Sequence, residues 1–184
     1  MVVARDGFDG ASTSKVAAGA GVSKGLIWHY FTDKGDLMKQ TVATAVQVIQ
    51  HEMATELDFS APVADLIRAS IAWLATASRK YRDEFAAMDQ ITRNLRAPDG
   101  TPAFSLADYE DVYQAQEALF RRGQAEGSFR DFDTRVMAVT YQGAIDMMRS
   151  YIDSHPETDT ARYADALADI LLAAMRVPPA GEHG

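Results

Sequence analysis

The sequence predicts an all-α protein, an N-terminal two-helix head on a larger antiparallel helical bundle body, and three observations predict it. Apolar residues recur at three- and four-residue spacing along nearly the whole chain, the signature of amphipathic helices. No alternating Val, Ile, Thr or aromatic run is closed by a hairpin turn, so strands are not expected. Between Gly7 and Leu37 two short helical patterns meet at a turn containing glycine. With 47% hydrophobic and 24% charged residues over 184 positions, the chain has the balance of one that buries a sizeable core.

In the head, Ser12 or Thr13 caps a helix whose apolar side is Val16, Ala17 and Ala20. Gly21 fits the left-handed residue that ends such a helix, Val22 turns inward, and Ser23 caps a second short helix from Lys24 to Phe31. Asp33, with Asp36 three residues on in place of the usual Glu, reads as a capping box that starts a long helix striped by Leu37, Met38, Val42, Ala45, Val46, Ile49, Met53 and Leu57. Ser60-Ala61-Pro62 opens the next, because a hydroxyl cap followed by proline suits a first turn. Its stripe is Val63, Leu66, Ile67, Ser70, Leu74, Ala77 and Tyr81, with Trp73 at the edge.

A further helix carries Phe85, Met88, Thr92 and Leu95 and stops before the loop Ala97-Pro98-Asp99-Gly100-Thr101-Pro102. Another carries Leu106, Tyr109, Tyr113, Gln116, Phe120 and Gly123 and stops near Gly127. From Asp133 to Ser154 a helix is apolar on two sides, Val136, Val139, Gly143, Met147 and Tyr151 on one and Met137, Tyr141, Ala144, Met148 and Ile152 on the other, so it must be covered twice. His155-Pro156 ends it, and Tyr163, Leu167, Ile170, Leu171, Ala174 and Met175 mark the last of about eight helices.

Charge is unevenly spread. Residues 11–40 hold Lys15, Lys24, Lys34 and Lys39 against Asp33 and Asp36, four less two, a net +2. Residues 41–184 carry 13 Lys and Arg against 22 Asp and Glu, a net −9, within a chain of −8. A small basic head thus precedes a large acidic body. The absence of cysteine removes disulfides, thiolate nucleophiles and cysteine-based metal sites, and His29, His51, His155 and His183 are too scattered for a metal cluster. No cofactor and no metal is expected. No apolar run reaches the ~20 residues of a membrane span, and the first residues lack a signal peptide's regions, so a cytoplasmic protein without membrane contact is expected. No nucleophile–base pair or phosphate loop stands out, and adjacent acids such as Asp83-Glu84 read as solvated surface, so the chain is not read as an enzyme.

The second short helix is where chemistry is expected. Ile27 and Phe31, four apart, point to the core, which leaves Lys24, Gly25, Leu26, Trp28 and His29 outward. Against a duplex, Lys24 neutralises phosphate, Gly25 lets the backbone approach, Trp28 donates its indole N–H or packs on sugar, and Leu26 offers an apolar contact to a thymine methyl. Free amides at both helix starts attract phosphate without side-chain charge.

The run Gly7-Phe8, Ser12-Thr13, Val16-Ala17, Ala20-Gly21-Val22-Ser23-Lys24-Gly25, Trp28-His29-Tyr30-Phe31, Lys34 and Leu37 resembles the DNA-binding head of the tetracycline-repressor (TetR) family of transcription regulators. The resemblance implies a homodimer that reads a palindromic double-stranded DNA operator and holds a small-molecule effector in its body. By position it implies that Thr13 and Ser14 approach phosphate and base edges, that Lys24, Gly25 and Leu26 lie along the major groove, that Trp28, His29 and Tyr30 hold the backbone, and that Lys34 contacts a phosphate. The corresponding domains are residues 1–45 for DNA binding, 46–177 for effector binding and dimerisation, and 178–184 as a flexible tail. Two departures stand out. Leu26 replaces the family's usual Thr, and only Met1 to Asp6 precede the Gly-Phe pair, as though most of the first helix were missing. That brevity predicts poor cover for Val16, Ala17 and Ile27. It leaves open an alternative function, a helical dimeric ligand-binding or interaction module that has lost DNA binding through N-terminal truncation.

In the body, the two-sided stripe and the small Gly143 and Ala144 suit pairing of the last two long helices with a symmetry mate. Polar groups that interrupt apolar stripes are the clue to an effector site. Gln116 lies between Tyr113 and Phe120, Asp89 beside Met88, and Gln142 beside Tyr141, while Trp73, Met88, Tyr109 and Met137 supply adaptable walls for a partly hydrophobic effector. Asp89 is either the counter-charge of a cationic effector or the partner of Arg93, four residues on.

Overall fold

The computed structural model describes residues 1–177 and is all-α among them, apart from two isolated bridges, Arg96 to Pro102 and Phe129 to Arg176. Nine α-helices follow in order: α1 Val2–Gly10, α2 Thr13–Ala20, α3 Lys24–Tyr30, α4 Lys34–Glu56, α5 Val63–Lys80, α6 Arg82–Asn94, α7 Glu110–Ala125, α8 Thr134–Ser154 and α9 Thr160–Met175, with a 3₁₀ turn at Leu106–Tyr109 before α7. The one element beyond the expected eight is α1. The expected tail, 178–184, lies outside the described residues.

The chain divides into two compact units. The first comprises Met1–Glu52 and Tyr81–Asp108. In it, Val3, Ala17, Ile27, Leu37, Met38, Val42, Ala87, Ile91 and Leu95 form one core, with Val2, Phe8, Val16 and Phe31 packed against it. The poor cover predicted for the short helices is therefore corrected: Ala17 and Ile27 are buried, and Val3 shares their core. Gly7, at φ +74°, breaks α1 so that its two parts take different directions, a conformation for which a residue without Cβ is suited.

The second unit comprises Met53–Lys80 and the chain from Tyr109. Here α5, α7, α8 and α9 bury Val63, Ile67, Ile71, Phe120, Tyr141, Ile145, Met148, Leu172 and Met175 in one bundle core. Two polar ties close it. Arg130 donates from its backbone N–H to Met175 O at 2.9 Å and from Nε to Ala174 O at 3.0 Å, which holds the α7–α8 connection to the end of α9. Arg122 donates to Phe59 O at 2.7 Å and Ala61 O at 2.5 Å, and Glu126 Oε2 accepts from the Val63 N–H at 3.2 Å. The first turn of α5 is thus capped by a carboxylate from the end of α7 and not by Ser60, whose hydroxyl bonds Asp58 at 2.6 Å. A favourable anion at a helix start explains why the remote group serves.

The Asp33 start of α4 is present, its Oδ1 accepting from the Asp36 N–H at 2.8 Å. Asp36 does not reciprocate; its carboxylate accepts from the Thr32 N–H at 2.9 Å and from Gln40 at 2.9 Å. The Asp36 carboxylate thus reaches back past Asp33 to Thr32, the residue before the cap.

Candidate nucleic-acid interface

The turn that joins α2 to α3 is built from three local choices. Ser12 Oγ accepts from the Lys15 N–H at 3.3 Å and Ser23 Oγ from the Leu26 N–H at 3.1 Å, each satisfying an amide that its helix leaves free. Gly21 sits at φ +68°, where its N–H reaches Ala18 O at 3.2 Å while the Val22 N–H reaches Ala17 O at 3.0 Å, the paired bonds of a left-handed helix end. Val22, expected inward, is exposed.

This turn fixes the orientation of α3. Ile27 is buried and Phe31 is packed against the same core, which leaves Lys24, Gly25, Leu26, Trp28, His29 and Tyr30 exposed. Leu26 is 43% exposed, Trp28 42% and Tyr30 69%. Neither the Lys24 ammonium nor the Trp28 indole N–H has a partner among the described residues. A Cβ added at Gly25 would meet only Ser23 Oγ, at 3.8 Å, so the fold itself does not require glycine there. The rings of His29 and Tyr30 meet edge to face with centroids 5.2 Å apart. On α2, Ser14 is exposed and Thr13 half-buried. A half-exposed Trp and Leu flanking a cation form a face with apolar area and unspent donors, which a partner surface would satisfy.

Lys34 is placed differently from the others. Its Nζ donates to Phe8 O at 3.2 Å and lies 4.7 Å over the Phe8 ring, so it clamps α1 to the start of α4. Two of its three protons remain for an outside acceptor. A second clamp joins α1 to α2: Asp6 accepts from Arg5 at 2.7 Å and Lys15 at 2.8 Å, and these hydrogen bonds hold its carboxyl far below the usual carboxylate range.

The residues singled out for an effector fall in both units. Met88 and Asp89, on α6, are half-buried in the first. In the second, Trp73 is half-buried with its indole N–H on Glu56 at 3.0 Å, Met137 is half-buried, Tyr113 and Tyr141 are buried, and the exposed Tyr109 stacks on Tyr113 with centroids 5.9 Å apart. Burial pushes the Tyr141 phenol above its ordinary range. Gln116 Nε2 donates to Gln142 Oε1 at 2.8 Å, and Gln142 Nε2 to Asp146 at 3.1 Å, so the two glutamines do meet.

Sequence reasoning missed an ion network beside them. Arg135 binds Glu110 through two bonds, at 2.7 and 2.9 Å, and reaches Glu117 with Nε at 2.6 Å. The hydrogen bonds of Arg135, and then of Gln114, pull the Glu110 carboxyl down to about 2. The signal was available: Glu110 and Glu117 are seven apart, two turns on one helix face. On α8 and α9 the outward side carries Val136, Val139, Met147, Tyr151 and Ile170, with Met147 66% and Ile170 67% exposed. Among the described residues no helix is long and apolar enough to cross a membrane.

Residues 1–41 match the family model of the bacterial regulatory proteins of the tetR family. No curated protein matches the chain in sequence. Among solved structures, a tetR family transcription regulator from Shewanella sp. PV-4 matches with a TM-score of 0.73 at 19% identity, over 96% of this chain and 93% of that one. AibR, crystallised with isovaleryl coenzyme A and operator DNA, matches at 0.72 and 18% identity over 92% and 91%. The transcriptional regulator FadR from Bacillus subtilis, crystallised with stearoyl-CoA, matches at 0.68 and 17% identity over 94% and 92%.

Proposed function

We propose that this chain, of the tetracycline-repressor family by its first 41 residues and with the fold of that family's regulators, is a homodimeric cytoplasmic repressor that a small-molecule effector releases from a palindromic operator. The observation that carries the reading is the outward face of α3, on which Lys24, Leu26, Trp28 and Tyr30 are exposed although three of the four are largely apolar. In this reading Lys24, Gly25 and Leu26 enter the major groove, and Trp28, His29 and Tyr30 meet the backbone. Thr13 and Ser14 approach from α2, and Lys34 spends its remaining donors on a phosphate.

The outward side of α8 and α9, with Met147, Tyr151 and Ile170, would bury itself on a second copy. The dimer would then set its α3 helices about one DNA turn apart, ~34–36 Å, to enter successive major grooves. In the second unit, the residues around Gln116 and Gln142, with Trp73, Tyr109, Tyr113, Met137 and Tyr141, are the proposed effector side. An effector releases DNA only by binding more tightly to a form whose heads are differently spaced. Because AibR and the Bacillus subtilis FadR were crystallised with acyl-CoA molecules, coenzyme A thioesters are the first effectors to test.

The deciding experiment is fluorescence anisotropy of the purified protein with duplex from its own promoter region at low salt. Binding that is reversed by a bound small molecule supports the reading. No affinity for that duplex would sink it and return the alternative of an interaction module without DNA binding.

A further inference from the structure

The exposed side chains of α3 have an uneven hydrogen-bonding inventory. In its first turn Lys24 only donates, Gly25 has no side chain and Leu26 neither donates nor accepts; Trp28, one turn on from Lys24, again only donates. The N-terminal residues of a recognition helix are those that reach base edges, so from Lys24 to Trp28 this face has no acceptor to offer. In the major groove adenine and cytosine each present an exocyclic amino group that needs an acceptor. Guanine presents only acceptors, N7 and O6, and thymine an acceptor beside its C5 methyl group. Adenine N7 accepts as well, so a lysine donor does not single out one purine; the residue of this face that singles out a base is Leu26, whose apolar chain complements the thymine methyl group and offers nothing to an amino group.

We infer that each operator half-site carries a thymine that α3 reads through Leu26, which packs on its C5 methyl group, while Lys24 neutralises a phosphate beside it. The inference rests on the duplex-binding reading above and names what that reading leaves open. Leu26 is 43% exposed and Gly25 beside it keeps the backbone low, so the side chain can reach a methyl group without lifting the helix from the groove. The net +2 of residues 11–40, in a chain of −8, directs a polyanion to this part of the chain.

The test begins with selection of binding sites from a random duplex pool, followed by replacement of each selected thymine with deoxyuridine, which removes the methyl and keeps the pairing. The expected result is a loss of about fourfold at one thymine of each half-site, the worth of one buried methyl-sized group, and equal binding of both duplexes by Leu26→Ala. Leu26→Thr, which adds an acceptor, is expected to admit adenine at that position. Binding that is insensitive to uracil at every position would overturn the inference, as would an undiminished uracil penalty in Leu26→Ala. Both results presuppose that some duplex is selected; failure to select any sequence removes the DNA-binding reading itself and is a separate outcome. Because the side chain is exposed, circular dichroism of the variants is expected to match the parent. The uracil scan on the parent decides the matter without them.

Discussion

Lys24 and Lys34 share the same charge and the same proposed partner, but the structure gives them different work, and exchanging each for alanine separates the two. Lys24 has no partner among the described residues, so Lys24→Ala removes a phosphate contact and little else, with stability unchanged within about 0.5 kcal/mol. Each neutralised phosphate contributes roughly 0.9 to the slope of log affinity against log salt, so a dimer loses ~1.8 of that slope. Over a fourfold rise in salt the parent should then lose about twelvefold more affinity than the variant. Lys34→Ala, in contrast, removes the hydrogen bond to Phe8 O at 3.2 Å and the contact over its ring at 4.7 Å. A charged hydrogen bond of about 1.5 kcal/mol and a cation–π contact of about 0.5 kcal/mol sum to ~2 kcal/mol. For a chain of this length that is ~4–8 °C in melting temperature. Anisotropy titrations at several salt concentrations, beside thermal melts followed by circular dichroism, measure both. A Lys34→Ala protein that melts with the parent while flattening the salt slope as fully as Lys24→Ala would refute the clamp.

Three other perturbations follow from the body. Gly123→Ala on α7 would drive a methyl into the Phe129 ring, which is confined because it is buried in the bundle core against Phe132. Overpacking of about 3 kcal/mol less a helix gain of ~1 kcal/mol leaves a loss near 2 kcal/mol, measured by urea unfolding, and unchanged stability would contradict the packing. The Glu110 carboxyl titrates lower folded, about 2, than its ordinary 4.5, so its pairing with Arg135 stabilises fully above the ordinary value and is lost as pH falls toward 2. Glu110→Gln is expected to make melting temperature fall less across that window, and identical pH profiles would count against the ion network. Met147→Glu with Ile170→Glu places charge on the outward side of α8 and α9 and is expected to convert a dimer to a monomer in sedimentation; a persistent dimer would place the interface elsewhere.

What the sequence made legible was local. Gly21, Ser12, Ser23, Asp33 and Asp133 each act within three or four residues, so spacing alone located them, and each stands at the helix end where its chemistry belongs. Apolar periodicity likewise located the inward residues Ile27, Leu66, Ile67, Tyr141 and Met148, all buried. Illegible were the groups that act across the chain. Glu126 caps α5 from 63 residues away and Phe129 lies on Gly123 through a turn; the pair Glu110 and Glu117 was legible on one face of α7, but not the Arg135 of α8 that gathers them. The cover of Ala17 and Ile27 by Val3 belongs to the same kind, since six residues before a glycine carry too little periodicity to announce a packed segment. Of the set proposed to face DNA, exposure of α3 was legible because Ile27 and Phe31 fix the inward side by spacing; the inward tie of Lys34 was not, because its partner is a backbone carbonyl.

The acidic balance of the chain bears on how such a head would discriminate. Non-specific affinity for DNA scales with the number of phosphates neutralised. Lys15 is paired with Asp6 at 2.8 Å, and of the other head lysines Lys24 and the remaining donors of Lys34 are those proposed to face phosphate, four contacts across a dimer. The salt slope expected from them is about −3.6, and the net −9 of residues 41–184 adds repulsion at longer range. With so little charge-driven binding to any sequence, most of the operator affinity has to come from base edges and from apolar contact. An α3 face of Leu26, Trp28 and Tyr30 is suited to that, where a lysine-rich helix would bind every site alike. The slope measured on a selected operator tests the whole account: a value steeper than about −6 would mean that other cations reach the backbone and that α3 is not the main source of discrimination.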